Sequence, residues 1–556
     1  MPVVLETMKI TPRRPGRLAR GKGSRMSEAT EEARYRRISR VSLGDVVHRS
    51  ALRWPEKTAL VDGALEFSYT ELDRRSSAFA HYLLAQGLPQ GARIAMLCGN
   101  SAQMVTAFIG IYKAGLVWVP INTGLAVDAV RYILEHAGAT HVVIDTEFLA
   151  KPELRAMLDA LGTRIIVCVP EGQASPGRDT TAFLDTLKDQ HDTPPEVDIE
   201  SGQLAQLMYT SGTTGQQKGV MHSHASVHAA LSGNLFELGL RPSDSALCVL
   251  PMFHCAQHAV SMSFLLAGAT IVVRRAFEPG AMLATIEQRG ITFLMGLPIM
   301  YAAMLAHPAR PTTKLSSLRL CLYVMAPMAR TLLVELIEKF CPGGFALASG
   351  QTEMYPATTL FKPEQQLKRF GSYWGDSVVT NETAIMDDEG QLLGRGEVGE
   401  IVHRGPNVML GYYKDPEATA RSRAFGWHHT GDLGMFDADG QLLFVDRKKD
   451  MIKTGGENVP SIKVEEVLLR HPAVLQVAIV GLPHPRWAEA VTGFVVLKPG
   501  ASATEAEILA HCRQHLGGFE VPKSIVLLGA MPQTTTGKAQ KFVLRQRYER
   551  HYAEQP

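Results

Sequence analysis

The chain has 556 residues, of which 46% are hydrophobic and 20% charged, and its formal net charge is +2. This length exceeds what one hydrophobic core normally serves and predicts at least two domains, while the small net charge gives no reason to expect nucleic acid as a partner. The apolar runs are too short to predict a transmembrane segment, although peripheral contact with a membrane stays compatible with the sequence.

The seven cysteines are scattered and odd in number, and no two are spaced as C-x-x-C. This pattern is typical of reduced thiols in a cytoplasmic protein. It predicts neither a zinc site nor a disulfide framework. The sequence leaves the oligomeric state open between a monomer and a homodimer.

Residues 1–28 are basic and poor in apolar side chains, and Glu6 is the only acid among the first 25 residues. We expect a disordered leader there. An arginine-rich, acid-poor segment also matches an organelle transit peptide. A third reading is that Met26 is the true first residue.

Short apolar runs and helical patterns alternate after this leader. The predicted strands are residues 92–97, 116–121, 141–145 and 164–169. A helix is predicted at 104–114, and residues 176–199 are mainly a connection. Apolar strands separated by helices indicate an α/β fold with parallel or mixed sheets flanked by helices.

The pattern changes near residue 397 and becomes that of a compact α+β unit. Its predicted elements are sheet-like runs at 399–404 and 440–446, a helix at 463–470, strands at 474–480 and 490–497, and a helix that ends near residue 516. Ser502 and Glu505 have the spacing of a capping box for this last helix. We predict a large domain at 29–447 and a small, mobile C-terminal domain at 448–556.

Residues 209–220 combine glycines and hydroxyl side chains with one lysine. Glycines allow positive φ and bring backbone N–H groups close to an anion, and Lys218 adds a charge that suits phosphate. The spacing of a P-loop is absent, and a flexible polar surface loop has the same composition. The candidate phosphate ligands are Thr210, Ser211, Gly212, Thr213, Thr214, Gly215 and Lys218.

The order of these residues, TSGTTGQQKG, resembles the phosphate-loop signature of the adenylate-forming superfamily. This superfamily includes acyl-CoA synthetases, adenylation domains of peptide synthetases and beetle luciferases. Four more segments resemble its motifs in the same order, at residues 350–353, 427–432, 446–453 and 532–538. The resemblance implies a large AMP-binding domain, a small C-terminal domain, and ATP with Mg²⁺ as ligands.

The resemblance also implies roles for the residues of the second motif. Thr352 would contact phosphate, Gln351 would contact the nucleotide, and Glu353 would hold Mg²⁺. A carboxylate combined with phosphate oxygens is a ligand set that Mg²⁺ prefers.

The three later motifs are assigned in the same way. Asp432 would accept hydrogen bonds from the ribose hydroxyls, and Arg447 would contact the nucleotide. Lys449 falls at the hinge between the two domains. Lys538 would bridge the substrate carboxylate and the α-phosphate, where a cation stabilises the charge that develops during attack.

The residue after Phe253 bears on the choice of acid. Amino-acid-activating relatives have an aspartate there that pairs with the substrate ammonium, whereas this chain has His254. The resemblance therefore favours acyl-CoA synthetases, in which this histidine lines the acyl channel. A nucleophile pair of His254 with Cys255 is disfavoured, because neighbours on a strand face opposite sides.

Residues 455–457 resemble the segment with which CoA ligases admit pantetheine. Gly455 and Gly456 would permit close approach of this thin chain, with Glu457 beside them. Lys453 is expected to assist the thioester step. This segment favours CoA as the acceptor.

Two residues depart from the family pattern. Ser349 stands where the family has a tyrosine that stacks on adenine, and Met325 stands where it has a small residue. We hypothesise that these positions exchange volume across the adenine or acyl slot, which would also be lined by His254 and Gly350.

The sequence thus predicts an ATP-dependent carboxylate–CoA ligase that acts through an acyl-adenylate, with a medium- or long-chain fatty acid as the first choice of substrate. An aryl or cinnamate-type acid is the second choice. A fatty-acyl-AMP ligase and a luciferase-like oxygenase use the same adenylation chemistry and remain alternatives, and a catalytically silent binding homologue is the non-enzyme alternative.

Overall fold

A computed structural model of the chain describes residues 35–170, 173, 177, 179–211, 217–325, 328–369, 371–533 and 539–553. The chain divides into two compact units, Met1–Arg40 and Val41–Pro556. In the first unit, residues 35–39 are helical, and the predicted leader at 1–28 lies outside the described residues. All elements named below belong to the second unit.

Helices and strands alternate along most of the second unit. The helices are α1 (Asp45–Arg53), α2 (Tyr69–Ala85), α3 (Ala102–Lys113), α4 (Val127–Ala137), α5 (Thr146–Leu149), α6 (Pro152–Ala160), α7 (His224–Glu237), α8 (Cys255–Leu266), α9 (Pro279–Arg289), α10 (Pro298–Ala306), α11 (Arg330–Lys339), α12 (Pro363–Gln366), α13 (Pro416–Arg421), α14 (Ser461–Leu469), α15 (Glu505–His515) and α16 (Lys541–Arg547).

The strands are β1 (Thr58–Asp62), β2 (Leu65–Ser68), β3 (Arg93–Leu97), β4 (Val117–Pro120), β5 (His141–Asp145), β6 (Arg164–Cys168), β7 (Thr180–Ala182), β8 (Leu204–Ser211), β9 (Gln217–Ser223), β10 (Ser245–Cys248), β11 (Thr270–Val273), β12 (Phe293–Gly296), β13 (Leu320–Tyr323), β14 (Phe345–Ser349), β15 (Thr359–Phe361), β16 (Tyr373–Ser377), β17 (Glu382–Met386), β18 (Gly399–Arg404), β19 (Gly411–Tyr412), β20 (His428–Phe436), β21 (Leu442–Arg447), β22 (Ile452–Thr454), β23 (Glu457–Val459), β24 (Val474–His484), β25 (Ala488–Leu497) and β26 (Ser524–Leu527).

Two large sheets build the main domain. The described residues form a thirteen-stranded sheet in the order β17-β18-β20-β21-β16-β15-β14-β13-β12-β10-β11-β1-β2 and an eight-stranded sheet in the order β19-β9-β8-β4-β3-β5-β6-β7. Strands β3 to β6 pair in parallel, and every residue of β5 is buried. Burial on both faces explains their continuous apolar sequences, because helices cover both sides of such sheets. The predicted mixed α/β fold is confirmed.

A third, smaller sheet follows at the C-terminal end of the unit. Its order is β23-β22-β25-β24, with β26 paired to β25. Two apolar clusters pack around it, and their residues all lie between Ile452 and Tyr552. The smaller C-terminal domain predicted from the sequence therefore has its own core, which is the physical mark of a domain.

One local prediction was incomplete and another was wrong. The connection predicted at 176–199 contains β7, which pairs with β6 at the edge of the eight-stranded sheet. The capping box of α15 is formed by Thr504 and Glu507, two residues later than predicted, because the helix begins at Glu505 and its cap must directly precede it. No helix in the described part of the chain is both long and apolar enough to cross a bilayer.

Lys113, the last residue of α3, is buried against α2. Its ammonium group donates to the backbone oxygen of Asp73 at 2.7 Å, to the carboxylate of the same residue at 2.5 Å and to the Ser77 hydroxyl at 2.9 Å. Its side chain is 2% exposed. These three acceptors offset the cost of removing the charge from water.

Lys113→Met is expected to lower the free energy of unfolding by about 3–5 kcal/mol, because it leaves the Asp73 carboxylate buried without its cation. The midpoint of urea unfolding, followed by circular dichroism, measures this loss. Lys339→Met is the matched control, since Lys339 forms an exposed pair with Glu335 on α11 and its loss should cost about 0.5 kcal/mol or less. Equal effects of the two substitutions would contradict the prediction.

Candidate active site

The candidate phosphate loop connects two antiparallel strands. Strands β8 and β9 form a hairpin in which Thr210 lies opposite Lys218. This arrangement puts the hydroxyl and the ammonium at the base of the loop. The predicted ligands Gly212, Thr213, Thr214 and Gly215 lie outside the described residues, as does the side chain of Ser211.

Lys218 and Glu353 are brought together by a residue that the sequence analysis missed. Strand β19 pairs with β9, and the Lys218 ammonium lies 5.0 Å from the centre of the Tyr412 ring. The Tyr412 hydroxyl donates to Glu353 Oε1 at 2.9 Å. Burial, together with the nearby Glu353 carboxylate, raises the pKa of Tyr412, so the phenol keeps its proton and remains a donor. No sequence signal marks Tyr412, because its role depends on the pairing of distant strands.

Gln351 connects the second motif to the third. Its amide nitrogen donates to Asp432 Oδ2 at 3.0 Å and to the backbone oxygen of Thr430 at 2.9 Å. Arg447 lies opposite Asp432 in the β20–β21 pair, with its Nε 3.5 Å from Asp432 Oδ1. Gln351, Asp432 and Arg447 therefore converge, and Gln351 orients the Asp432 carboxylate.

Glu400 is a second residue that the sequence analysis missed. Its carboxylate accepts from the backbone N–H of Gly431 at 2.9 Å and lies 3.2 Å from both His429 Nδ1 and Lys448 Nζ. Although burial opposes it, the hydrogen bonds from Gly431 and His429 lower the pKa of Glu400. The ionised carboxylate thus fixes the turn that precedes Asp432.

The predicted geometry of His254 and Cys255 was wrong. They do not lie on a strand: His254 is the N-cap of α8 and Cys255 is its first residue. The Cys255 thiol lies 3.8 Å from His254 Nδ1 and 3.6 Å from the Thr352 hydroxyl. The opposite-faces argument against a pair therefore fails, and the Cys255 thiol contacts both His254 and Thr352 of the second motif.

Met325 and Ser349 occur at the carboxyl ends of adjacent parallel strands. Strands β13 and β14 are paired through Tyr323 and Leu347, and each of the two residues follows this pair by two positions. Met325 has a φ of 70°, a left-handed conformation that favours glycine. A side chain at Gly350 would place its Cβ 2.7 Å from Pro356 Cβ, so the close packing against Pro356 requires glycine at this position.

Gly455 and Gly456 form the two-residue turn of the β22–β23 hairpin. Their φ values are 59° and 90°, and Thr454 pairs with Glu457 across the turn. Two-residue hairpins of this kind need positive φ at both central positions. Hairpin geometry is thus sufficient to explain both glycines, which the sequence analysis attributed to close approach of a ligand. Lys453, beside the turn, is exposed and donates its backbone N–H to Glu489 at 2.7 Å.

The segment around the predicted hinge is tied to the last helix of the chain. Asp450 pairs with Arg545 of α16 at 2.8 Å. Lys449, between Asp450 and the end of β21, is exposed. Lys538 lies outside the described residues, in a segment bounded by a bridge between Gln533 and Ala539.

All seven cysteines are buried free thiols. Cys98, Asp145 and Cys168 have ligand atoms within 4.8 Å of one another, at the ends of three adjacent strands. The sequence spacing gave no signal of this cluster, because its members come from different strands. The Asp145 carboxylate is paired with Arg275 at 2.5 Å.

Buried histidines form part of the packing behind the nucleotide motifs. Burial lowers the pKa of His222 and of His428 to about 4 and that of His403 to about 3. These imidazoles are therefore neutral near pH 7. His403 and His428 are opposite each other in the β18–β20 pair, and His428 Nε2 lies 3.2 Å from the Gln351 amide oxygen.

Two family models match the chain. The AMP-binding enzyme model matches residues 47–413, and the AMP-binding enzyme C-terminal domain model matches residues 463–538. The chain therefore belongs to the AMP-binding enzyme family, the adenylate-forming enzymes predicted from its motifs.

Similar proteins narrow this class. Feruloyl-CoA synthase of Amycolatopsis sp is 35% identical over 91% of this chain and 99% of the relative. Long-chain-fatty-acid–CoA ligase FadD13 of Mycobacterium tuberculosis is 30% identical over 91% of this chain and 98% of the relative. The ATP-bound structure of MatB from Rhodopseudomonas palustris has a TM-score of 0.83 and 28% identity, and covers 92% of this chain and 99% of that one. The protein is an acyl-CoA synthetase, an AMP-forming acid–thiol ligase of a family whose ligases use ATP and CoA.

His403→Gln is expected to weaken the pH dependence of stability. Unfolded histidine binds a proton near pH 6.5, whereas folded His403 stays neutral down to about pH 3. The folded state therefore loses stability as the pH falls below 6.5. Between pH 7.5 and 5 the wild type should lose about 2 kcal/mol more than the variant, measured by urea unfolding at both pH values. Equal losses would show that His403 titrates normally in the folded protein.

Proposed function

We propose that this acyl-CoA synthetase activates an aryl-substituted carboxylic acid of the cinnamate type, with the nucleotide held at the junction of Lys218, Glu353 and Asp432. The observation that supports the nucleotide site is that three contacts bring these groups together: the Lys218 ammonium over the Tyr412 ring, the hydrogen bond from Tyr412 to Glu353 and the hydrogen bond from Gln351 to Asp432. Three motifs from distant parts of the chain thus meet at one site, as a ligand with phosphate and ribose groups requires.

In the first step, a carboxylate oxygen of the acid attacks the α-phosphorus of ATP. The new P–O bond forms as the bond to the pyrophosphate oxygen breaks, which yields the acyl-adenylate and pyrophosphate. The phosphate hairpin with Thr210 and Lys218 grips the departing pyrophosphate, Thr352 contacts phosphate, and Asp432 with Arg447 holds the ribose end. Lys538 stabilises the charge that accumulates at the α-phosphate.

Glu353 is the residue that would hold Mg²⁺. Its half-buried carboxylate has Tyr412 as its hydrogen-bond donor at 2.9 Å, and an ionised carboxylate offers about four lone-pair positions. The donor set therefore fits a hard cation that is also bound by phosphate oxygens. When bound, the ion would neutralise charge on the phosphates.

In the second step, the CoA thiol attacks the acyl carbon, and AMP leaves with the electrons of the mixed anhydride bond. We place the domain boundary at residues 447 and 448 and the hinge at Lys449, about which the domain at 448–556 rotates between the steps. Lys538 then leaves the site and the Gly455–Gly456 turn faces it. Lys453 beside this turn assists thioester formation.

The aryl acid takes precedence over the fatty acid that the sequence analysis ranked first. The feruloyl-CoA synthase is 35% identical to this chain, against 30% for the long-chain fatty acid ligase. A solved anthranilate CoA ligase with bound anthranoyl-AMP has a TM-score of 0.82 at 28% identity. The Met325 thioether, where the family pattern has a small residue, supports this choice because sulfur packs well against an aromatic ring.

A medium- or long-chain fatty acid is the second candidate. It is supported by the full-length similarity to the long-chain ligase and by apolar side chains that would line an acyl channel. Among these are Phe253, Leu297 and Met325, which are partly buried and pack against the main apolar cluster. The two candidate acids differ in shape: an aryl acid needs a short flat slot, whereas a fatty acid needs a long channel.

Pyrophosphate release against a panel of acids, with and without CoA, tests the function. Hydroxycinnamates should give the highest kcat/KM, and thioester should form only when CoA is present. A preference for C12–C16 fatty acids would favour the second candidate. Adenylate formation without any thioester would contradict CoA as the acceptor and favour a carrier protein, and oxygen uptake with the adenylate would indicate an oxygenase.

Lys538→Ala separates the two steps. Adenylate formation should fall by roughly a hundredfold or more, because a cation that stabilises the developing charge is lost. Conversion of supplied acyl-adenylate to thioester should continue, because Lys538 has left the site by then. Lys541→Ala, three residues away on α16, should not show this split between the half-reactions. If Lys538→Ala leaves both half-reactions unchanged, the role given to Lys538 is wrong.

Met325→Gly tests the substrate wall. Removal of the thioether should lower kcat/KM for the preferred aryl acid by about tenfold, the effect of roughly 1–3 kcal/mol that a pocket contact supplies. Bulkier acids should gain relative to it. Met328→Gly is the comparison, since Met328 packs against the same cluster but is not one of the two departures from the family pattern. Unchanged ATP affinity together with an unchanged order of acids would contradict a role for Met325.

A further inference from the structure

The residues 352–355 form a turn that carries Thr352 and Glu353, and its backbone is held from outside. The first three residues are a 3-10 turn. Each backbone oxygen of the turn accepts a hydrogen bond from another segment of the chain. This is unusual support for so short a segment, because a turn normally exposes some of its carbonyl groups to water.

His222 holds the first of these oxygens. Its Nε2 lies 2.6 Å from the backbone oxygen of Thr352, and its Nδ1 lies 3.3 Å from the Ser226 hydroxyl. A carbonyl oxygen can only accept, so the proton is on Nε2 and His222 is the donor. The side chain is fully buried, so water cannot replace this donor.

His222 also belongs to the candidate phosphate hairpin. It lies on β9 in the same strand as Lys218, and its ring packs edge-on against Tyr355 with the centroids 5.2 Å apart. One side chain therefore connects the strand that carries the phosphate-binding lysine to the turn that carries Thr352 and Glu353.

Asn407 holds the other end of the turn. Its amide nitrogen donates to the backbone oxygen of Met354 at 2.6 Å and to that of Tyr355 at 3.4 Å. The Asn407 side chain is fully buried. Two residues later, the backbone N–H of Met409 donates to the oxygen of Glu353 at 2.8 Å.

We propose that His222 and Asn407 are positioning residues for adenylate formation, which hold the 352–355 turn so that Thr352 and Glu353 meet the phosphates and Mg²⁺ in one geometry. The inference rests on the proposed roles of those two residues. Neither His222 nor Asn407 reaches the reacting atoms. Both act by removing backbone freedom before the substrate arrives, which lowers the reorganisation needed in the transition state.

The substitutions are chosen to remove or keep the donor. His222→Leu and Asn407→Leu remove it, whereas His222→Gln keeps an N–H of similar reach. His141→Leu is the matched control, because His141 is also buried but lies on β5, away from the nucleotide motifs. All four variants are made in the full chain and compared with the wild type.

The kinetic readout is the single-turnover rate of adenylate formation with ATP and the best acid of the panel. His222→Leu and Asn407→Leu should lower this rate by about ten- to a hundredfold, the usual effect of losing a group that orients a metal or phosphate ligand. The KM for the acid should change less than threefold, and His222→Gln should restore most of the rate. A folding defect alone would reduce the active fraction and leave the rate constant of the remaining enzyme unchanged.

The equilibrium readout is binding of Mn²⁺ in the presence of α,β-methylene-ATP, measured by calorimetry. The two donor-removing variants should bind Mn²⁺ about tenfold more weakly, with the His141→Leu variant unchanged. If the wild type forms adenylate but His222→Leu and Asn407→Leu match it in rate and in Mn²⁺ affinity, the positioning role is wrong. If the wild type forms no adenylate, the proposed function itself fails.

Discussion

The hydrogen bond from the Tyr412 hydroxyl to the Glu353 carboxylate is the contact on which the arrangement of the site depends. Tyr412 lies on β19, which pairs with β9, and β9 carries Lys218. Glu353 lies on a turn four residues after β14, which belongs to the thirteen-stranded sheet. One hydrogen bond of 2.9 Å therefore joins a strand of one large sheet to a turn that follows a strand of the other. Because the phenol keeps its proton, this contact persists across the physiological pH range.

Three histidines behind the site are buried and neutral. His222, His403 and His428 have pKa values that burial lowers to between about 3 and 4, so they contribute hydrogen bonds without adding charge. A charged imidazolium in the same position would carry a large desolvation cost. Neutral imidazoles therefore support the motif residues by hydrogen bonds, as His222 does at Thr352 and His428 does at Gln351.

The relatives of this chain act on different acids although they share one backbone fold. A feruloyl-CoA synthase, a CoA ligase named for a methyl-dioxo-octahydroindenyl propanoyl group and a long-chain-fatty-acid–CoA ligase each match 90–91% of this chain at 30–35% identity. Such a range means that the backbone does not select the acid, and that side chains at a few positions do. Met325, in its left-handed conformation, and Ser349 are the two positions at which we propose that this chain departs from the family pattern to select its acid.

The sequence by itself determined the fold class, the family and the order of the five motifs. Local patterns carry this information, since strand and helix periods and glycine-rich loops depend on residues close in the chain. Strands such as β5 and β6 were predicted correctly because each is a continuous buried run. The misplaced capping box at Thr504 and the missed strand β7 show the limit, because an element boundary depends on which neighbour it packs against.

Only the tertiary structure decided how the motifs are held together. Tyr412, Glu400, His222 and Asn407 have no motif of their own, and each acts on a residue dozens of positions or more away in the chain. Their importance arises from strand pairings and from burial, neither of which a local pattern encodes. Gly455 and Gly456 were attributed to a ligand in the sequence analysis. The structure shows that the β22–β23 hairpin needs both glycines for the positive φ values of its turn. The sequence motifs therefore predicted the enzyme class, whereas the contacts that hold the motif residues in place required the tertiary structure.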